Sequence, residues 1–281
     1  MILSIEGDEA TGKTTLAYSA PLPIVGFAFD MGIERAIKGG KYEELFKDVS
    51  IRVIPYNKDN DQGSTAWEGM DITIFELPNP IQLDAMRLQG NTDLWVYAIN
   101  LMGAAFSDPR VSTLVIDTMT VARRTKASSH LENLQKAAYN PTTGERIPNV
   151  ALREQLIQIE YGKVNDAIRD IYTTSAGTKK NLVATHHRTD EYKNLPGEGG
   201  RIESTLTGNR VLEGLAQTHR FVDIALLTTK DNKQIKGELV KCGYSLEMEG
   251  TVMDNPTWDS IANLISTATE ERIELDRRNY S

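Results

Sequence analysis

The sequence predicts an α/β fold: a mainly parallel sheet flanked by helices, with an antiparallel hairpin and a helix at its C-terminal end. Three observations predict it. Short, almost wholly apolar runs at residues 2–6, 23–29, 111–117 and 181–185 have the length and composition of buried strands. The segments between them carry apolar residues at helical spacing, as at Leu94, Ala98, Leu101 and Ala105. A glycine-bounded loop joins the first run to the first helix. No internal repeat or linker divides the chain, so residues 1–281 are expected to form one domain.

The elements follow in order. Residues 2–6 read as the first strand, and a helix should continue through Thr15 and Leu16 to Ser19. The second run ends at Asp30, and residues 50–54 make a third strand. Residues 55–80 are polar and rich in Asn, Asp, Gly and Pro, which predicts a long loop or insertion. The helix at 94–105 has Trp95, Ile99 and Met102 beside its apolar stripe, so it should be buried on most sides. Residues 111–117 are apolar until Asp117, and a helix should follow to about residue 138. A loop with Pro141, Gly144 and Pro148 comes next. Ile157, Tyr161, Val164, Ile168 and Ile171 then mark an amphipathic helix. The strand at 181–185 ends at His186 and His187, and residues 188–210 are expected to be a polar loop. Residues 222–229 and 234–241 should pair antiparallel around a turn at 230–233. The tail, 254–281, should begin with an Asp254 cap and Pro256 and run as a helix through Trp258, Ile261 and Leu264.

Composition narrows the function classes. With 40% hydrophobic and 25% charged residues, the chain reads as soluble and globular, and no apolar run is long enough to span a membrane. The first residues lead straight into the glycine loop without a basic, signal-like start. The single cysteine, Cys242, excludes a disulfide framework and a cysteine-rich metal centre and is expected to be a buried strand residue. These features predict a cytoplasmic protein, or one that resides in the cytoplasm of a host cell. The net charge of −8 argues against a surface that grips nucleic acid everywhere, and leaves room for a local basic strip.

The chemistry concentrates at Gly7, Asp8, Glu9, Ala10, Thr11, Gly12, Lys13 and Thr14, which fill the pattern G-x-x-x-x-G-K-[ST]. Glycines let successive backbone N–H groups turn toward phosphate oxygens, and the helix start adds its positive end. Lys13 would supply a mobile charge to the β- and γ-phosphates, Thr14 a magnesium ligand, and Thr15 continues the site. The implied cofactors are ATP and Mg2+. A second carboxylate at a strand end should help hold the metal, and Asp117, followed by Thr118, is placed for it. An acid there can also be a helix cap. The adjacent His186 and His187 cannot chelate one ion together, because neighbours on a strand face opposite ways.

The chain lacks the Asn-Lys-x-Asp guanine motif of GTPases at a fitting position and the arginine-rich lid common in small-molecule kinases. Residues 7–16, with Glu9 third in the loop, resemble the phosphate loop of the RecA family of recombination ATPases. Ile116, Asp117 and Thr118 are similar to its second motif, and Phe29 and Asp30 to the end of its second strand. Thr185, His186 and His187 look like the end of its sensor strand, in the form seen in phage-encoded, core-only RecA-like annealing proteins. Gly208, Asn209 and the 220–223 segment are similar to the close of the family's second DNA-binding loop. The resemblance runs over most of residues 1–245. It implies a RecA-like ATPase core, with Lys13 and His187 in catalysis and γ-phosphate sensing and a single-stranded DNA partner.

The sequence departs from the family where the catalytic glutamate should stand. Gly32 occupies that place, and Glu34, with Asp30 behind it, is the expected substitute; Glu34 could equally be a surface charge beside Arg35. No segment precedes the first strand of the kind RecA proteins use to polymerise. The resemblance points to Arg188, Lys193, Arg201 and Arg210 as DNA contacts, although five basic residues between 186 and 220 face five acidic ones. Arg123, Arg124 and Lys126 are further candidates for tracking phosphates, or a solvated helix face. In a homo-oligomer, Lys230 or Lys233 resembles the position that reaches a neighbour's γ-phosphate. The alternative function is a nucleotide-dependent regulatory or assembly ATPase that binds no DNA.

Overall fold

The computed structural model describes residues 1–37, 43–59, 63–83, 86–196 and 202–270. Its elements run β1 (Ile2–Gly7), α1 (Lys13–Ala17), β2 (Ile24–Ala28), α2 (Ile33–Ile37), β3 (Ile51–Pro55), β4 (Ile72–Glu76), α3 (Asn91–Ser107), β5 (Thr113–Asp117) and α4 (Met119–Gln135). They continue with α5 (Tyr161–Thr178), β6 (Asn181–His186), β7 (Arg188–Pro196), β8 (Ile202–Leu212), β9 (Ile224–Asp231), β10 (Gln234–Cys242), β11 (Val252–Asp254) and α6 (Trp258–Ala268).

Nine strands form one sheet in the order β11-β10-β9-β1-β6-β5-β2-β4-β3. From β9 to β3 every neighbouring pair is parallel; β9–β10 and β10–β11 are antiparallel. This is the mainly parallel, helix-flanked α/β arrangement that the sequence predicts, with the antiparallel pair and closing helix at the C-terminal end. The central strands are apolar on both faces because both faces are covered. Leu114 and Ile116 of β5 pack toward α3, α4 and α5, whereas Val115 between them joins the core shared with α1, α2 and α6. Phe27 stacks on Phe75 at 5.9 Å between ring centroids, which ties β2 to β4 on the first face. Truncating such a buried ring to alanine costs about 3–5 kcal/mol. Cys242 is buried on β10, as expected.

Four expectations need correction. Residues 55–80 are no plain loop: Ile72, Thr73, Ile74 and Phe75 form β4, buried between β2 and β3. Four apolar-rich residues inside a polar stretch are too few for periodicity to reveal. Residues 188–210 are no plain loop either, since β7 and β8 pair as an antiparallel hairpin in a separate two-stranded sheet. That hairpin has few buried residues to face, so its sequence lacks the apolar alternation that marks a strand. Helix α5 begins at Tyr161, and Ile157 stands exposed before it. Finally, Asp254 ends β11, and α6 is capped instead by Thr257, whose hydroxyl accepts from Ser260 N in a reciprocal capping box.

Candidate functional site

Strand β1 delivers the glycine loop to the C-terminal edge of the sheet. Gly7 must lack a side chain: a Cβ there would lie 2.3 Å from Thr228 Oγ1 and 2.6 Å from its carbonyl. Gly12 sits at φ 79°, the left-handed region that glycine adopts freely. Ala10 takes the same region at φ 58°, which a residue with a Cβ does only at some cost. Thr11 fixes the curl, donating to Asp8 O at 2.8 Å and meeting Thr228 Oγ1 at 2.8 Å. Lys13 folds back across the loop, its Nζ donating to Gly7 O at 2.9 Å and Asp8 O at 2.6 Å. Burial lowers its pKa, while Asp117, Asp8, Asp30 and Glu9 pull it up. Helix α1 spans five residues and starts at Lys13, directly after Gly12. Thr15 also lines the cavity at the loop, and its hydroxyl donates to Ala36 O at 3.3 Å.

Asp117 ends β5, and Phe29 N and Asp30 N both donate to its backbone carbonyl, at 2.7 and 3.1 Å. Its carboxylate is buried and doubly held: Thr14 Oγ1 donates to Oδ2 at 2.8 Å, and Thr185 Oγ1 donates to Oδ1. Burial raises its pKa, offset in part by those two hydroxyls. Thr118 caps α4, its hydroxyl accepting from Val121 N at 3.2 Å. Thr14 and Asp117 therefore offer two hard oxygen ligands side by side next to a lysine, the set that suits a small divalent cation bridging to phosphate oxygens.

His187 follows β6 and faces this mouth. Its Nε2 lies 3.6 Å from Asp30 Oδ2, and its backbone N donates to Thr120 Oγ1 at 3.0 Å. His186 turns the opposite way, fully buried, with Nε2 3.2 Å from Tyr172 Oη. Burial drives the His186 pKa down to about 3. A cavity of about 960 Å³ joins residues 9–15 of the loop to Asp30, Gly32, Asp117, Thr118, His187, Lys230 and Lys233. Lys230 and Lys233 thus border the same cavity as the glycine loop of their own chain. Glu34 lies on α2 by its backbone, and its side chain is outside the described residues.

The hairpin β7–β8 is tied to the loop by charge. Arg210 NH1 donates to Asp8 Oδ1, its NH2 to Arg188 O at 2.9 Å, and its Nε lies 3.8 Å from Asp190. Arg188 donates to Arg210 O and lies 4.0 Å from Glu6, the buried last side chain of β1. Lys193 is 3.8 Å from Glu191, and Arg201 is outside the described residues. On α4, Arg123 donates to Asn165 at 3.0 Å and stacks over Tyr161, Arg124 pairs with Glu213, and Lys126 lies over Trp95. Each has a protein partner, so α4 presents these cations as structural contacts.

Sequence inspection missed three parts of the site. Thr185 and Thr228 brace Asp117 and the loop from β6 and β9, and strand threonines carry no distinguishing signal. The Asp8–Arg210 pair joins residues 202 positions apart. An apolar cavity of about 420 Å³ also opens beside the loop, where Gly12, Thr15 and Leu16 meet Leu45, Ile235 and Pro256.

No protein-family model matches this chain, and no curated protein is similar to it. Among solved structures it is similar to the crystal structure of the RadB recombinase, at 10% identity over 90% of this chain and 85% of that one, with a TM-score of 0.44.

Proposed function

We propose that this chain is a RecA-like ATPase that binds ATP with magnesium and couples its hydrolysis to the β7–β8 hairpin, which engages single-stranded DNA. The observation that carries the ATPase reading is the 2.8 Å bond from Thr14 to Asp117, made across 103 residues and beside Lys13. A hydroxyl, a buried carboxylate and a loop lysine converging on one cavity have an economical common purpose in a metal–triphosphate. The donor set fits Mg2+, which when bound would neutralise charge on the β- and γ-phosphates. Thr14 and Asp117 would hold it, Asp117 through water. Lys13 would exchange the carbonyls of Gly7 and Asp8 for phosphate oxygens. The apolar cavity beside Gly12 would take the nucleobase between Leu16, Leu45 and Pro256.

The hairpin is the natural output, because Asp8 of the phosphate loop is its ion-pair partner. Phosphates arriving at the loop add negative charge beside Arg210, so the hairpin base would feel whether triphosphate is bound. The regulatory or assembly alternative, without DNA, is favoured by a specific observation: Arg188, Lys193 and Arg210 each already face an acid.

ATP hydrolysis with and without single-stranded DNA at low salt separates the two. Stimulation by DNA, with affinity falling as log salt rises by about 0.7 per phosphate contact, supports the first. Hydrolysis indifferent to DNA, with no binding in ATP and magnesium, supports the second.

A further inference from the structure

The apolar cavity beside Gly12 adjoins the cavity at the glycine loop, since Gly12, Thr15 and Ile235 border both. Most polar side chains on the apolar cavity are already engaged. Thr15 donates to Ala36 O at 3.3 Å, and Thr228 Oγ1 meets Thr11 Oγ1 at 2.8 Å. Ser19 Oγ donates to Leu16 O at 2.7 Å and accepts from Trp258 N at 2.9 Å, and Thr257 Oγ1 accepts from Ser260 N at 3.2 Å. Among the described residues, two side chains on its border stay uncommitted: the Asn255 amide and the Glu44 carboxylate, both exposed. The backbone that carries Asn255 is fixed on both sides. Asn255 N donates to Ile235 O at 2.7 Å, with φ at 45° in the left-handed region that asparagine tolerates. Pro256 sits so close over Gly237 that a Cβ there would lie 2.8 Å from its Cγ, and Thr257 caps α6. A rigid segment thus holds one free amide at the rim of a mostly apolar pocket, the composition of a site that stacks a flat ring and reads its edge.

We propose that Asn255 is the residue that selects adenine over guanine. The assignment rests on the ATPase reading, in which this cavity takes the nucleobase. An amide offers an acceptor and a donor side by side. Its Oδ1 accepts from the adenine N6 amino group while its Nδ2 donates to the neighbouring ring nitrogen N7. On the same edge guanine presents two acceptors, O6 and N7, so Oδ1 would face a lone pair. Turned to its other edge, guanine would bring its N2 amino group toward Leu16, Leu45 and Pro256, whose side chains offer no acceptor. Glu44 cannot take the same role. An ionised carboxylate only accepts, so it satisfies no ring nitrogen of adenine and would favour the donors of guanine instead.

The test compares the parent with Asn255→Gly, Asn255→Asp and Glu44→Gln. Calorimetry gives the Kd of each for non-hydrolysable analogues of ATP and GTP and for inorganic tripolyphosphate, all with magnesium. Glycine keeps the left-handed backbone and removes the amide, and aspartate keeps the shape but loses the donor. The parent should bind the ATP analogue about tenfold or more tightly than the GTP analogue. Asn255→Gly should bring the two within about threefold by weakening the ATP analogue alone, with tripolyphosphate unchanged. Asn255→Asp should move the ratio toward GTP, and Glu44→Gln should keep the parent's ratio. A preference that survives in Asn255→Gly would overturn the assignment. So would equal weakening of all three ligands in that variant, the mark of a structural role. Tripolyphosphate separates this assignment from the reading beneath it. A parent that binds tripolyphosphate and both analogues with no preference refutes the role of Asn255 and leaves the phosphate site standing. A parent that binds none of the three refutes the ATPase reading, and the assignment falls with it.

Discussion

Arg210, on the second strand of a hairpin, donates to the carboxylate of Asp8, the second residue of the glycine loop. A few ångströms away Arg188 of the first hairpin strand approaches Glu6, which immediately precedes that loop. The hairpin is thus fastened at its base to the segment that would hold phosphates, by two arginine–carboxylate contacts rather than by apolar packing.

Arg210→Ala should loosen the hairpin without harming the core. The pair is about half exposed, so its loss should cost global stability no more than about 1 kcal/mol. Hydrogen exchange of the β7 and β8 amides should nevertheless speed up while β1 and β5 stay protected. Unchanged exchange in the hairpin would show that the strand pairing alone holds it.

Lys13→Ala should remove ATP hydrolysis and leave a folded protein. Nζ touches only two loop carbonyls, and leaving those without a partner costs about 1–3 kcal/mol. A small drop in Tm with turnover reduced beyond detection is the expected pair of results. Turnover near the parent's would refute the assignment of the loop.

Asp117→Asn separates function from stability. Magnesium-dependent hydrolysis should fall by about two to three orders of magnitude, the scale of losing a preorganised charge. Burial makes the charged form of Asp117 costly, so the fold loses stability as pH rises through the carboxylate range. The neutral variant escapes that cost, and its Tm at pH 7 should equal or exceed the parent's. A large drop in Tm would mean that the Thr14 and Thr185 hydrogen bonds need a carboxylate to hold the sheet edge together.

His186 gives the chain an acid sensitivity of its own. Its folded pKa is about 3, below the ordinary value of 6.5. Between those values the unfolded chain binds the extra proton, so stability is intact above about pH 6.5 and falls by up to about 1.4 kcal/mol per pH unit toward pH 3. Urea midpoints at pH 7 and pH 5 should differ for the parent, and His186→Phe should narrow the difference. Equal differences in both proteins would place the acid sensitivity elsewhere.

The parts legible in the sequence are those whose chemistry demands fixed residues at fixed spacing. Gly7, Gly12 and Lys13 are constrained by backbone geometry and charge, and Asp117 is conspicuous as a polar end to an apolar run. The parallel core was legible for a related reason, since strands covered on both faces must be apolar throughout. Strand β4 was hidden because it supplies few residues and sits among turn formers. The hairpin was hidden because a two-stranded ribbon away from the main core shows little of the period-two pattern. Asp30 stood in view at the end of an apolar run, but its neighbour His187 arrives from the junction of β6 and β7, 157 positions later in the sequence. Ion pairs between such distant segments leave no local trace.

The position of β1 sets a timetable for making the protein. Its neighbours on the two sides are β6 and β9, which begin at Asn181 and Ile224, so β1 lies between two strands synthesised well after it. At roughly 5–20 residues per second, the ribosome takes on the order of ten seconds or more to deliver β6 after β1. Throughout that interval a strand whose residues are all buried in the finished fold waits with both hydrogen-bonding edges unmatched, exposed to chaperones and to other nascent chains. The phosphate loop hangs from that same strand. A fragment ending before residue 181 should therefore be an aggregation-prone polypeptide without the cavity at the glycine loop, however complete its motif looks on paper.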